Sequence, residues 1–332
     1  MKDNIDSLPP VSGYFSTGCT ILDLAIADRL PGGFGVGRIS HVYGPESTSK
    51  SIISLEPLGS AQRQGGIATL VDTEGTFDSK RAEMLFGIDI AKLIYLSPRS
   101  ESIIKDDTTD NITIESLFKN IIEPTLRDCK PDTLNVISID SLSAISSEHE
   151  MDEKDPYGAS RAKALSASFR KTIWKLCQKN LSLIFVDQTR QDIGGSFIKK
   201  YIYSGGEALK FYASTRVLLT PGGKIENAHK KIMGVTINFK VDKNKIAPPY
   251  REGSFDILFD YGIDNISSSL KFLQENRSDV TKGWHQFDGK KLRFNDMINY
   301  IEENRLEDEL EATVYGLWKQ LYLPSERKKR LR

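Results

Sequence analysis

Five short apolar runs, at 39–43, 67–72, 92–96, 134–140 and 181–187, set the strongest limit on what this chain can become. Between them, 79–86, 114–127 and 159–179 carry apolar residues at three-to-four spacing, the period of a helix with one buried face. Strand and helix in alternation predict an α/β domain with a mostly parallel central sheet flanked by helices. Ligands of such sheets sit outside the carboxyl ends of the strands. Several of those ends carry chemistry here: 44–51, Asp72-Thr73-Glu74, Asp140-Ser141 and Asp187-Gln188.

The first of these ends reads Gly44-Pro45-Glu46-Ser47-Thr48-Ser49-Lys50-Ser51 and opens a segment of helical character. In a phosphate-binding loop so placed, backbone N–H groups point at the phosphates and a lysine ammonium reaches the terminal ones. A Ser or Thr hydroxyl then holds Mg2+. Lys50 and Ser51 stand where those last two roles fall, whereas Ser49 occupies the glycine position of the G-x-x-x-x-G-K-[ST] pattern. If that position needs φ > 0, serine costs about 1 kcal/mol, and its Cβ crowds the phosphates. Pro57 predicts a kinked or shortened helix after the loop, because an interior proline removes a hydrogen bond at roughly 3 kcal/mol.

Asp140 ends a strand beside this loop, where an acid holds Mg2+ through water or else caps a helix. Glu74 is placed to orient or deprotonate a water attacking the terminal phosphate, or is a solvated loop acid. Gln188, an uncharged amide at a fourth strand tip, either senses a terminal phosphate or simply ends its strand. The segment 189–206 is Gly-rich and polar, with Phe197, Tyr201 and Tyr203 among Arg190, Lys199 and Lys200. From 189 to 251 there are 12 Lys/Arg against 4 Asp/Glu, although the whole chain balances 45 against 45. Cations with interleaved aromatics fit a single-stranded nucleic acid.

Composition narrows the remaining classes. The 332 residues are 39% hydrophobic and 27% charged, as in a globular protein with a sizeable core. No apolar run approaches the roughly 20 residues of a membrane span, and the start lacks the apolar stretch of a signal peptide. The cysteines, Cys19, Cys129 and Cys177, show no C-x-x-C spacing, which argues against a disulfide framework or zinc site and for a cytoplasmic location.

Taken together, 44–51, Asp72-Thr73-Glu74 and Ile139-Asp140-Ser141 resemble the RecA family of DNA strand-exchange ATPases. The segments 205–214 and Lys243-Asn244-Lys245-Ile246-Ala247-Pro248-Pro249 resemble it more closely still. The resemblance implies a RecA-like P-loop ATPase core at 16–262, after a short arm at 1–15. A small C-terminal α/β domain at 263–323 and a basic tail at 324–332 would follow. It implies ATP and Mg2+ as cofactors, with Gly44 to Ser51, Asp78 and Arg81 around the nucleotide and Ser51 and Asp140 on the metal. Glu74 would activate water, and Gln188 would couple nucleotide state to DNA. Loops at 150–160 and 189–205 would bind DNA, through Arg190, Ile193, Phe197, Lys199 and Lys200 in the second. Lys243 and Lys245 would reach a neighbour's terminal phosphate, and Phe211 would lie in that interface. The implied partners are single- and double-stranded DNA, further copies of the chain in a filament, and a recombination mediator or single-strand-binding protein. A nucleoid, or a host cytoplasm for a phage-encoded protein, is the implied setting. Ser49 departs from the bacterial pattern in the manner of phage-encoded relatives of the UvsX type, and Arg81 replaces an adenine-stacking tyrosine. A catalytically weak or inactive paralogue that scaffolds filament assembly is the alternative reading.

Overall fold

The computed structural model describes residues 10–98, 112–130, 132–148, 159–191, 201–203, 206–277 and 283–322. A small antiparallel ribbon of β1 (Tyr14–Phe15) and β2 (Phe34–Gly35) brackets α1 (Thr20–Ala27). The expected alternation follows: β3 (Ile39–Gly44), α2 (Lys50–Arg63), β4 (Ala68–Asp72), α3 (Ser79–Phe86) and β5 (Ile94–Leu96). Next, α4 (Ile114–Ser116) runs through a π-helical turn (Leu117–Ile122) into α5 (Glu123–Asp128), before β6 (Asn135–Asp140), α6 (Ala159–Gln178) and β7 (Leu181–Gln191). The chain then passes through β8 (Tyr201–Tyr203), α7 (Gly206–Tyr212), β9 (Thr215–Glu226), β10 (Ile232–Asn244), β11 (Arg251–Leu258) and β12 (Gly262–Asp264).

These strands make a ten-stranded sheet in the order β12-β11-β10-β9-β3-β7-β6-β4-β5, with β8 paired to the end of β7. From β9 to β5 every pairing on this path is parallel, whereas β10, β11 and β12 add an antiparallel flank. Apolar clusters fill both faces. On one, Phe169 packs edge-on against Phe118 and Phe185. On the other, Ile53, Leu58 and Val42 join α1 and the last helices. Those helices are α8 (Asn265–Asn276), α9 (Phe294–Asn304) and α10 (Glu307–Leu321), with a hairpin of β13 (His285–Phe287) and β14 (Lys290–Leu292). Among the described residues, no helix is long and apolar enough to cross a membrane.

Two local expectations need correction. Of the kinked or shortened helix expected at Pro57, the shortening is not found: α2 continues through Pro57 to Arg63. Ile53, Leu58 and Ala61 on this helix are fully buried, and burying two large aliphatic side chains contributes about 3–6 kcal/mol, enough to offset the proline penalty. Gln188, expected at a strand tip, lies inside β7, which extends to Gln191 because Thr189, Arg190 and Gln191 pair with Tyr203, Ile202 and Tyr201. β-branched and aromatic residues on both sides favour that extension.

Candidate nucleotide site

Strand β3 delivers the phosphate loop. A Cβ on Gly44 would stand 2.1 Å from the Leu219 carbonyl oxygen, so only glycine lets the strand leave the sheet this close to β9. Ser47 and Ser49 both take left-handed conformations, at φ 57° and 58°. The conformation that makes glycine the usual choice is therefore present, and Ser49 adopts it as the residue before α2. Thr48 is fully buried and donates to the Pro45 carbonyl at 2.8 Å, and Lys50 Nζ donates to the same oxygen at 2.6 Å. Burial holds the Lys50 ammonium below its usual pKa, opposed by the negative charge of Asp140 and Glu74.

The other strand ends converge here. The Ser51 hydroxyl pairs with the Asp140 carboxyl, which burial pushes up to about 6 against that hydrogen bond. The Thr73 N–H donates to the Asp140 carbonyl and its hydroxyl to the Ser141 carbonyl, both at 2.8 Å, which ties the tip of β4 to the tip of β6. Ser141 Oγ donates to Glu74 Oε1 at 2.6 Å and so fixes the carboxylate's direction. Asp72 organises the turn beneath: it accepts from the N–H groups of Glu74, Gly75 and Phe77 and from the Tyr95 hydroxyl. Gln188 pairs in register with Gly44, and its N–H donates to Ser143 Oγ at 3.0 Å.

Ser47 to Ser51, Glu74, Asp140, Ser141 and Gln188 thereby line one cleft of about 570 Å3. Its far wall is Val235, Ile257 and Phe259 from the antiparallel flank, residues with no motif to mark them in the sequence. A neighbouring hollow of about 440 Å3 is lined by Asp78, Arg81, Phe77 and Leu55. Asp78 accepts from the Arg81 N–H at 3.1 Å as the cap of α3, and Arg81 Nη2 donates to the Phe259 carbonyl at 3.0 Å across the cleft mouth. Glu46 is exposed at the loop's outer edge, next to half-buried Pro45.

Lys243 near the end of β10 and Lys245 just beyond it lie elsewhere and do not line this cleft. Lys243 Nζ donates to the carbonyls of Lys210 and Phe211 at 2.6 and 2.7 Å, where a cation suits the end of a helix. Burial, with Lys245 and Arg216 adding, pushes Lys243 down to about 8. Phe211 beside it is 70% exposed. Arg190 belongs to β7, whereas Ile193, Phe197, Lys199 and Lys200, most of 150–160, and the tail at 324–332 fall outside the described residues.

Hard oxygen donors, one hydroxyl and one carboxylate, suit Mg2+ at Ser51 and Asp140. Among the described residues no group of three or more His, Cys, Asp or Glu comes together as a metal site.

The sequence profile of the RecA N-terminal domain matches residues 10–264. Protein RecA of Acinetobacter baylyi is 30% identical over 305 residues, 90% of this chain and 81% of its own. That of Prochlorococcus marinus is 31% identical over 306 residues, covering 90% of this chain and 75% of its own. That of a Nostoc species is 32% identical over 295 residues, 87% of this chain and 76% of its own. With the profile spanning the whole sheet and these relatives most of the chain, the protein belongs to the RecA family of recombinases, which serve DNA recombination and repair.

Proposed function

We propose that this protein is an ATP-dependent recombinase that forms filaments on single-stranded DNA and promotes homologous pairing and strand exchange with a duplex. The observation that carries this reading is the convergence of Lys50, Ser51, Asp140, Glu74 and Gln188 on one cleft of about 570 Å3. Loop N–H groups and Lys50 bind the triphosphate, and Ser51 and Asp140 hold Mg2+. When bound, the ion neutralises charge that develops on the phosphate oxygens. Glu74, aimed by Ser141, orients the attacking water and takes its proton. Gln188 senses the terminal phosphate and lies three residues before the end of β7, from which the DNA-binding segment with Ile193, Phe197, Lys199 and Lys200 departs. Arg81 and Asp78 form the base side of the site. Lys243 and Lys245 act on the cleft of the next subunit, across an interface that includes Phe211, so the catalytic set is complete only in an assembly. The core responsible spans 16–262, with the small domain at 263–323 and a mediator or single-strand-binding protein as accessory elements.

ATP hydrolysis with and without single-stranded DNA tests this, for wild type and Glu74→Gln. DNA should stimulate the wild type, and Glu74→Gln should lose about 100-fold or more in turnover while still binding nucleotide. A wild type that binds ATP yet shows no DNA-stimulated turnover sinks the catalytic reading and leaves the scaffolding paralogue.

A further inference from the structure

We propose that Asp242, clamped by Tyr43 and Arg216, is a positioning residue that aims Lys243 and Lys245 by holding a bulge in β10. The clamp links the strand that carries the phosphate loop to the two lysines. The catalytic part of this inference rests on the role assigned to the lysines above; the geometric part does not.

In the β9–β10 pairing, Val241 faces Val217 and Lys243 faces Arg216, so Asp242 is the extra residue of a bulge. Bulges redirect side chains, and a one-residue change of register exchanges the two faces of a strand. Were Asp242 to pair with Arg216 instead, Lys243 would move to the opposite face, away from α7. With the bulge in place, Lys243 Nζ reaches the carbonyls of Lys210 and Phe211, and the Lys245 N–H donates to the Ser214 carbonyl at 2.8 Å. The direction of both lysines therefore depends on the bulge.

Asp242 Oδ2 accepts from the Tyr43 hydroxyl and, at 3.3 Å, from Arg216 Nη1. The Arg216 guanidinium lies 4.5 Å over the Tyr43 ring, and its Nε donates to His41 Nδ1 at 3.3 Å. His41 stacks on Tyr43 at 4.8 Å. Arg216 and Tyr43 are each only 4% exposed and His41 is fully buried. The Asp242 side chain is 26% exposed, and an ion pair to a partly exposed carboxylate contributes little net stability, so fixing a register is a better account of this cluster than strength. Tyr43 directly precedes Gly44, the first residue of the phosphate loop, and its hydroxyl makes a direct contact between that strand end and the bulge.

The test uses the full-length chain as Tyr43→Phe, as Asp242→Asn, as the pair Lys243→Ala with Lys245→Ala, and as Tyr43→Phe combined with that pair. Amide hydrogen exchange at 241–246 should accelerate in Tyr43→Phe and Asp242→Asn, a readout that needs no activity. DNA-stimulated kcat should fall about ten-fold in Tyr43→Phe with the KM for ATP unchanged, and Tyr43→Phe added to the lysine pair should bring no further loss. Unchanged exchange in both single variants overturns the clamp. So does a Tyr43→Phe effect confined to KM, or one additive to the lysine pair, since either means that Tyr43 acts through the phosphate loop alone. If the lysine pair retains full stimulated turnover, the catalytic role of the lysines falls, while hydrogen exchange still decides the clamp.

Discussion

Glu56 sits in the helix that leaves the phosphate loop, where a carboxylate is costly. It is 9% exposed, it lies close enough to Gly18 that a Cβ there would come within 2.6 Å of its carboxyl carbon, and it shares its surroundings with Asp23. Burial pushes Glu56 from its ordinary 4.5 up to about 7, against the pull of Arg63. Burial also pushes Asp23 up to about 6, against hydrogen bonds from Ser16 and Thr17. Between the unfolded and folded values the native state binds more protons than the unfolded chain. Stability therefore falls as pH rises through that window, and the cost is complete above the folded value. Glu56→Gln removes it. At pH 8 the variant should be more stable by about 1–3 kcal/mol, and the two proteins should converge as the pH approaches 4.5. Thermal unfolding at the two pH values measures this, and equal stability at pH 8 would refute it.

Ser49 poses a residue-scale question in the opposite sense. It is held at φ 58°, so Ser49→Gly should relieve about 1 kcal/mol of backbone cost, less the added entropy of the unfolded chain. Nucleotide affinity should then hold or improve. Ser49→Val, β-branched at a left-handed position, should weaken ATP binding by about ten-fold or more. Nucleotide titration of the three proteins decides it, and an unaffected Val variant would mean that the loop tolerates side chains freely. The serine was legible from the motif as a defect. That the position is left-handed, and that serine adopts it, required backbone geometry.

At the scale of elements, the parts read correctly from sequence are those that local pattern dictates. The strands of the parallel half and α3 follow from short apolar runs and from three-to-four spacing, and their loaded ends do meet in one cleft. The parts missed depend on partners distant in the chain. Val235, Ile257 and Phe259 wall the cleft because β10 and β11 pair alongside β9, and the bulge at Asp242 exists only relative to β9. The extension of β7 past Gln188 requires β8. Pro57 failed to end α2 for the same reason, since packing on the sheet outweighed a local penalty. Pro57→Ala should restore a donor for the Ile53 carbonyl and stabilise the protein. About 3 kcal/mol of helix preference is offset in part by unfolded-chain entropy and by the volume lost at a buried site, leaving about 1–2 kcal/mol. Denaturant unfolding measures it. No gain would indicate that the helix is already bent around a satisfied carbonyl.

For the whole molecule, the placement of Lys243 and Lys245 at the far end of β10, outside the lining that includes Glu74, makes a prediction about assemblies. If one subunit supplies Glu74 and its neighbour supplies the lysines, the interface is heterologous and repeats head to tail. Glu74→Gln should then be nearly inactive, and so should Lys243→Ala with Lys245→Ala, which keeps a small measurable turnover, each for its own reason. In a mixed filament, a site works when a lysine variant contributes the cleft and a Glu74→Gln subunit contributes the lysines. With random order in an equal mixture, about one quarter of the sites satisfy this, so mixing two nearly inactive proteins should restore about one quarter of wild-type hydrolysis. Restored activity should appear only with DNA present and at concentrations that support assembly. If the mixture stays as inactive as its components although both variants co-assemble on DNA, the lysines serve their own subunit. The distance between them and Glu74 would then have to close by a movement within the chain.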